Sequence, residues 1–177
     1  MSKYNDVALI VIDVQKGVFN KKTKIFKEME LIDNINALVD AFHNHSLQVY
    51  FVRHTNSTML AENTDDWQLH PDLHVKDGDV LLNKQNSSVF KEKALQTELD
   101  KAGVRHIVIA GLVTHGCVKA ACQDGKKLGF EVTLASDAHS SFNKDAENLI
   151  AEWNEKLAAE GVNIASTRDI SGWMDNM

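Results

Sequence analysis

Six short apolar runs, separated by stretches with helical spacing, limit the folds open to this chain more than any other feature of it. The runs are Val7–Ile12, Val49–Val52, Val80–Leu82, Ile107–Ala110, Val132–Ala135 and Val162–Ile164. A strand that is apolar at every position has no solvent face, so it belongs in a parallel sheet covered on both sides. Between the runs, Ile32, Ile35, Val39 and Phe42 form one helical stripe, and Leu95, Leu99 and Ala102 a shorter one. Val118, Ala121, Gly125 and Leu128 form a third stripe, and Ala146, Leu149, Trp153 and Leu157 a fourth. Gly103, Gly129 and Gly161 each precede a strand, where a helix C-terminal glycine belongs. The alternation predicts an α/β fold: a three-layer, doubly wound, mainly parallel six-stranded sheet of order 3-2-1-4-5-6, with helices on both faces and right-handed crossovers. No repeat or linker divides the chain, so residues 1–177 are read as one domain.

One segment breaks the alternation. Residues His54 to Gly78 are polar, carry His54, Trp67, His70 and His74, and show no period. So long a connection in a compact domain is usually functional. It leaves from the C-terminal end of the second strand, the edge where open α/β sheets bind ligands, so it is expected to form a lid or a pocket wall.

Three residues at that same edge could do chemistry. Asp13 ends the first strand, as either a structural hydrogen-bond acceptor or a site carboxylate. Cys117 lies just past the fourth strand, in Gly111-Leu-Val-Thr-His-Gly-Cys117. With Thr114 as N-cap it would be the third residue of a helix, where the dipole favours a thiolate; the alternative is a small buried residue. In the 3-2-1-4-5-6 order, strands one and four are neighbours at the switch point, so Asp13 and Cys117 would face one crevice as a base and a nucleophile. Lys84 follows the third strand. Most such lysines are solvated, but a cation beside the other two would stabilise a thiolate and hold the carboxylate.

These residues carry a resemblance. Val-Ile-Asp13-Val-Gln15, Leu-Asn-Lys84 with Ser88 and Phe90 following, Gly111-Leu-Val-Thr-His-Gly-Cys117-Val118, and Asp137 in Ala-Ser-Asp137-Ala-His are similar to the motifs of the isochorismatase-like cysteine hydrolases. That family includes nicotinamidases, carbamoylsarcosine amidases and streptothricin hydrolases. Any one motif is weak; three in order at the proper strand ends are specific. The resemblance implies a metal-independent cysteine hydrolase that cleaves the carbon–nitrogen bond of a small amide through a thioester on Cys117. Asp13 would accept the thiol proton and Lys84 would support the charged pair. It further implies a cis peptide at Leu112–Val113 and an oxyanion hole from the backbone N–H groups of Val113 and Cys117. Isochorismatases proper resemble the family with glycine at the position of Cys117, so the cysteine argues for an amide-like bond. An ether or ester hydrolase and a non-catalytic small-molecule binder remain the alternatives.

Nicotinamidases carry an Asp-x-His metal motif after the second strand. The corresponding residues here are Val52-Arg53-His54, without the carboxylate, and His54, His70 and His74 then read as loop histidines. No metal or other cofactor is expected. Candidate substrate contacts are Gln15, Phe19, Trp67, Phe90, Thr114 and His115, with Trp67 either closing over the ligand from the lid or simply core. His139 and Ser140 either support the site or end a strand. Cys122 is assigned no chemistry.

Charge narrows the partners. A net charge of -6 disfavours nucleic acid and anionic membranes, which want a basic face. No apolar run approaches the length of a membrane span. The polar start Met1–Asp6 runs straight into a strand and does not read as a signal peptide, and two cysteines make no disulfide framework. A cytoplasmic enzyme acting on a small molecule is expected, and the resemblance implies a homodimer or a higher homo-oligomer.

Overall fold

A computed structural model describes residues 5–176. Its elements, in order, are β1 (Val7–Ile12), α1 (Lys16–Phe19), α2 (Glu28–Asn44), β2 (Val49–His54), β3 (Val80–Lys84), α3 (Lys93–Lys101), β4 (His106–Leu112), α4 (Lys119–Lys127), β5 (Glu131–Ser140), α5 (Ala146–Ala159), β6 (Asn163–Ala165) and α6 (Thr167–Asp175). The six strands form a single sheet in the order β3-β2-β1-β4-β5-β6, every pairing parallel.

The apolar strands follow from a core on each face. In β1 every residue is buried, and alternate side chains go to opposite sides. Val7, Leu9 and Val11 join α2 and α6 residues such as Leu38, Phe42 and Ile170. Ala8, Ile10 and Ile12 join Leu95, Leu99, Ala121 and Leu157 from α3, α4 and α5. The three glycines placed before strands lie just past helix ends with φ of 70°, 92° and 92°, a conformation that favours glycine.

Three details differ from the sequence reading. Strand β5 runs to Ser140 rather than Ala135, so His139 and Ser140 are strand residues, with His139 opposite Gly111. Helix α6 was not anticipated; it starts at Ser166, whose hydroxyl accepts from the N–H of Asp169, while Asp137 Oδ1 accepts from both the N–H and the hydroxyl of Thr167. Asp137 thus anchors a helix start. Thr114 is not the N-cap of α4. Residues Thr114–Val118 form one π-helical turn kinked at Gly116, and the regular helix begins at Lys119. Cys117 therefore sits on the turn before α4 and not at its third residue.

Candidate active site

The C-terminal ends of the strands converge on one cavity of about 320 Å³. Asp13 follows β1, His54 ends β2 and Lys84 ends β3, while Val113 and Cys117 follow β4 and Phe142 follows β5. A larger hollow of about 700 Å³ opens at the opposite edge among Val7, His106 and Trp173, and no cysteine, serine or threonine lines it.

Two backbone features bring Asp13 and Cys117 together. Ile12 pairs with Gly111, and a Cβ at Gly111 would collide with the Ile12 backbone; the position also has φ of 126°. Only glycine lets β4 press so closely against the end of β1 and release the chain toward Cys117. Asp13 itself has φ of 55°, a left-handed conformation that for a non-glycine residue marks a constrained position. The next peptide after β4, Leu112–Val113, is cis.

Lys84 is the hub. Its strand lies two places from β1, a gap of about 10 Å that only a long side chain spans. The ammonium, fully buried, lies 3.1 Å from Asp13 Oδ2, 3.2 Å from Cys117 Sγ, 3.0 Å from the Asn86 carbonyl and 3.0 Å from His54 Nδ1. A carboxylate oxygen of Asp13, a ring nitrogen of His54 and Cys117 Sγ all lie within 4.8 Å of one another.

The electrostatics of this group are set by dryness. Burial raises the pKa of Asp13, and the Lys84 charge opposes that rise. Burial, then the Asp13 charge, pushes the Cys117 thiol up to about 11, again against Lys84. His54 is lowered by burial and by Lys84, so its ring is neutral and Nδ1 accepts from the ammonium. Burial thus favours the thiol form of Cys117 beside Asp13 and Lys84. Cys117 lies outside the regular helix and is desolvated, and both remove the support for a thiolate that a helix start would give. Asp13 Oδ1 is buried and without a hydrogen-bond partner, an acceptor of the kind a base requires.

Asp13, Lys84 and Cys117 meet as the sequence indicated, with Val113 lining the same cavity. The six expected substrate contacts do not line it. The Gln15 side chain is spent on backbone: its amide donates to the His54 and Trp67 carbonyls at 3.0 and 2.9 Å, and its oxygen accepts from the His54 N–H at 2.8 Å. Phe19 packs edge-on to His70, and Trp67 donates its indole N–H to Thr55 with the Arg53 guanidinium over its ring. Phe90 stacks on Phe130 in the core. Thr114 is fully buried and hydrogen-bonded to His139, which burial pushes down to about 4. His115, beside it on the turn, also lies outside the cavity lining.

The walls come instead from Gly17, Val18 and Lys21, from Asn56, Met59 and Leu60, and from Ser87, Leu112 and Phe142. Only the first residues of the His54–Gly78 connection reach the cavity. The rest is pinned: Gly17 N–H donates to the Asp66 carbonyl, Lys16 N–H to that of Gln68 and His70 N–H to that of Val14, while Asn36 binds Asp72 and His74. A Cβ at Gly17 would strike Asp66 and Leu60, so this position must be glycine for the wall to close. The first residues of the segment are therefore wall, and the remainder is tied to α1, α2 and the end of β1.

A metal does not fit this donor set. The three ligand-capable side chains that cluster, Asp13, His54 and Cys117, surround the Lys84 ammonium, which already fills the place of a cation. Val52 offers no donor, His70 Nδ1 accepts from the Asp72 N–H, and His74 pairs with Asp40 at 2.9 Å. Sequence reasoning missed His54 as a site residue. Its place follows from the register that pairs His54 with Lys84 at the ends of β2 and β3, which the sequence does not state.

Comparison with known proteins gives the family and the fold. Residues 7–169 match the isochorismatase domain family. The isochorismatase family protein YwoC of Bacillus subtilis (strain 168) is 27% identical over 158 residues, 80% of this chain and 82% of that protein. Nicotinamidase 3 of Arabidopsis thaliana is 25% identical over 154 residues, 78% of this chain and 75% of that protein. The crystal structure of a cysteine hydrolase from Pseudomonas syringae pv. phaseolicola 1448A superposes with a TM-score of 0.89 at 21% identity, covering 97% of this chain and 93% of that one, a likeness of fold.

Proposed function

This chain belongs to the isochorismatase domain family, a family of hydrolases, and from that premise we propose that it is a cysteine hydrolase cleaving the carbon–nitrogen bond of a small amide through a thioester on Cys117. The observation that carries the reading is the contact of one buried ammonium, Lys84, with both a carboxylate and a thiol at the base of a cavity. Such a pair is what acyl transfer needs, a nucleophile with its base beside it.

In the first half-reaction, Asp13 takes the thiol proton as Cys117 Sγ attacks the carbonyl carbon. The negative charge moves from carboxylate to sulfur and then to the carbonyl oxygen, and Lys84 remains within reach of the first two. Backbone N–H groups of Val113 and Cys117 serve as the oxyanion hole, a contribution of about 3 kcal/mol per donor in known cases. The carbon–nitrogen bond breaks, and the amine leaves with the proton held by Asp13. In the second half, Asp13 takes a proton from water as the oxygen attacks the thioester. The carbon–sulfur bond breaks, the acid departs, and the thiol recovers its proton. His54, accepting from Lys84, keeps the ammonium aimed at the pair. No step uses a metal.

A reducing compartment such as the cytoplasm suits the unpaired Cys117 and Cys122, and no helix among the described residues is long and apolar enough to cross a membrane. Assembly into a homo-oligomer belongs to the same proposal and is read by light scattering. The activity test is ammonia release from a panel of small primary amides and ureido compounds by the wild type and by Cys117→Ala. Release that depends on Cys117 is expected. Turnover confined to esters or vinyl ethers, or no turnover of any compound, overturns the reading.

A further inference from the structure

The cavity has one charged side chain beyond the reacting group. Asp13 and Lys84 cancel at its base, and the remaining lining is neutral or apolar apart from Lys21. Lys21 follows α1, is half-buried, and holds its Nζ 4.3 Å from the centroid of the Phe142 ring. Of the nearby lysines, Lys16 lies 2.8 Å from Asp65 and Lys27 lies 3.8 Å from Glu30, while Lys22 and Lys24 are exposed to solvent and do not line the cavity. Among the described residues, Lys21 has no carboxylate within 4.0 Å, in a chain with 25 acidic side chains against 19 basic ones. An aromatic face steadies an ammonium without cancelling its charge. The pocket is thus locally positive within a negative protein, and cavity walls of low polarity focus that field inward.

We propose that Lys21 is the specificity determinant of this site and that the substrate is a small amide with a carboxylate at its other end, an amic acid or ureido acid monoanion. This deepens the amide hydrolase reading and rests on it. The cavity volume of about 320 Å³ is at the small end of ligand pockets, matching a molecule of that size. With the amide carbon at Cys117, the far carboxylate meets Lys21, and Asn56 and Ser87 offer neutral hydrogen-bonding groups between. A charge-assisted contact of this kind discriminates a carboxylate from its isosteric amide by about tenfold to a hundredfold.

The test uses pairs that differ only in that charge: malonamate, succinamate and glutaramate against malonamide, succinamide and glutaramide. Each is assayed as a protectant of Cys117 from alkylation by iodoacetamide, a neutral reagent, with the modified peptide read by mass; this needs no turnover. The best acid is expected to protect at concentrations at least tenfold below those of its diamide. Lys21→Gln removes that preference and Lys21→Arg keeps it. Equal protection by acid and diamide, no protection by either, or a preference that survives Lys21→Gln overturns the proposal. Ammonia release from the same compounds separates the two readings. Acid-selective protection without ammonia sinks the amide hydrolase and leaves the anion site, and ammonia from the diamides with no charge preference does the reverse.

Discussion

Replacing Lys84 by methionine isolates the role assigned to the buried ammonium. Methionine keeps most of the apolar stem, so the change is chiefly the loss of a charge that contacts Asp13 at 3.1 Å, Cys117 at 3.2 Å, the Asn86 carbonyl at 3.0 Å and His54 at 3.0 Å. Asp13 is then a carboxylate buried without a counter-charge, and breaking a buried pair from one side costs about 3–5 kcal/mol. The effect depends on pH in a definite sense. Burial already raises the Asp13 pKa above its usual value, and Lys84 is the largest influence lowering it. Without Lys84 the folded-state pKa rises further above the unfolded one. A carboxyl shifted in that direction contributes stability that is present below the unfolded pKa and is lost as pH rises through the folded pKa. The Lys84→Met deficit, measured by urea unfolding, is therefore expected to be small near pH 4 and to grow to several kcal/mol by pH 8. Adding Asp13→Asn removes the stranded charge and should recover at least about 2 kcal/mol at pH 8, a coupling of the size seen for residues in one network. Additive single-variant effects, or a deficit that does not change with pH, would refute the reasoning.

Further outcomes follow from the same geometry. Because desolvation pushes the Cys117 thiol up to about 11, its alkylation by iodoacetamide in the free protein should keep accelerating well above pH 9; a plateau near pH 7 would mean the thiolate forms at rest. Gln15→Leu strands three buried backbone groups and is expected to cost about 3 kcal/mol in urea unfolding, with no loss if the site wall is held by other contacts. Gly111→Ala forces a Cβ into the Ile12 backbone and should abolish soluble folded protein or thiol protection, whereas a well-behaved variant would show that β1 and β4 can part.

The sheet and the convergence of Asp13, Lys84 and Cys117 were legible because burial on both faces writes itself into six apolar runs, and because strand ends in this architecture converge. The substrate contacts were not, since chain proximity to a motif says nothing about side-chain direction. Gln15 lies two residues from Asp13 yet turns its amide onto the wall, and Thr114 lies three from Cys117 yet bonds His139 beneath the site. Trp67 looked like a closing aromatic because its neighbours are polar. Those neighbours are engaged in tying the connection to α1, and the ring is buried under Arg53. The position of Cys117 in the helix was not legible for a related reason: one π-helical turn intervenes before α4, and burial there pushes the thiol up. His54 was legible only as a pairing partner of Lys84, which requires the register of β2 and β3.

In the proposed reaction, acyl transfer passes through the Cys117 sulfur. Acid-quenched mass spectrometry during ammonia-releasing turnover of an amide tests it most directly. An acyl adduct labile to hydroxylamine is expected on the peptide bearing Cys117, with neither adduct nor ammonia from Cys117→Ala. Ammonia release at the wild-type rate by Cys117→Ala, or an adduct on any other residue, would contradict it.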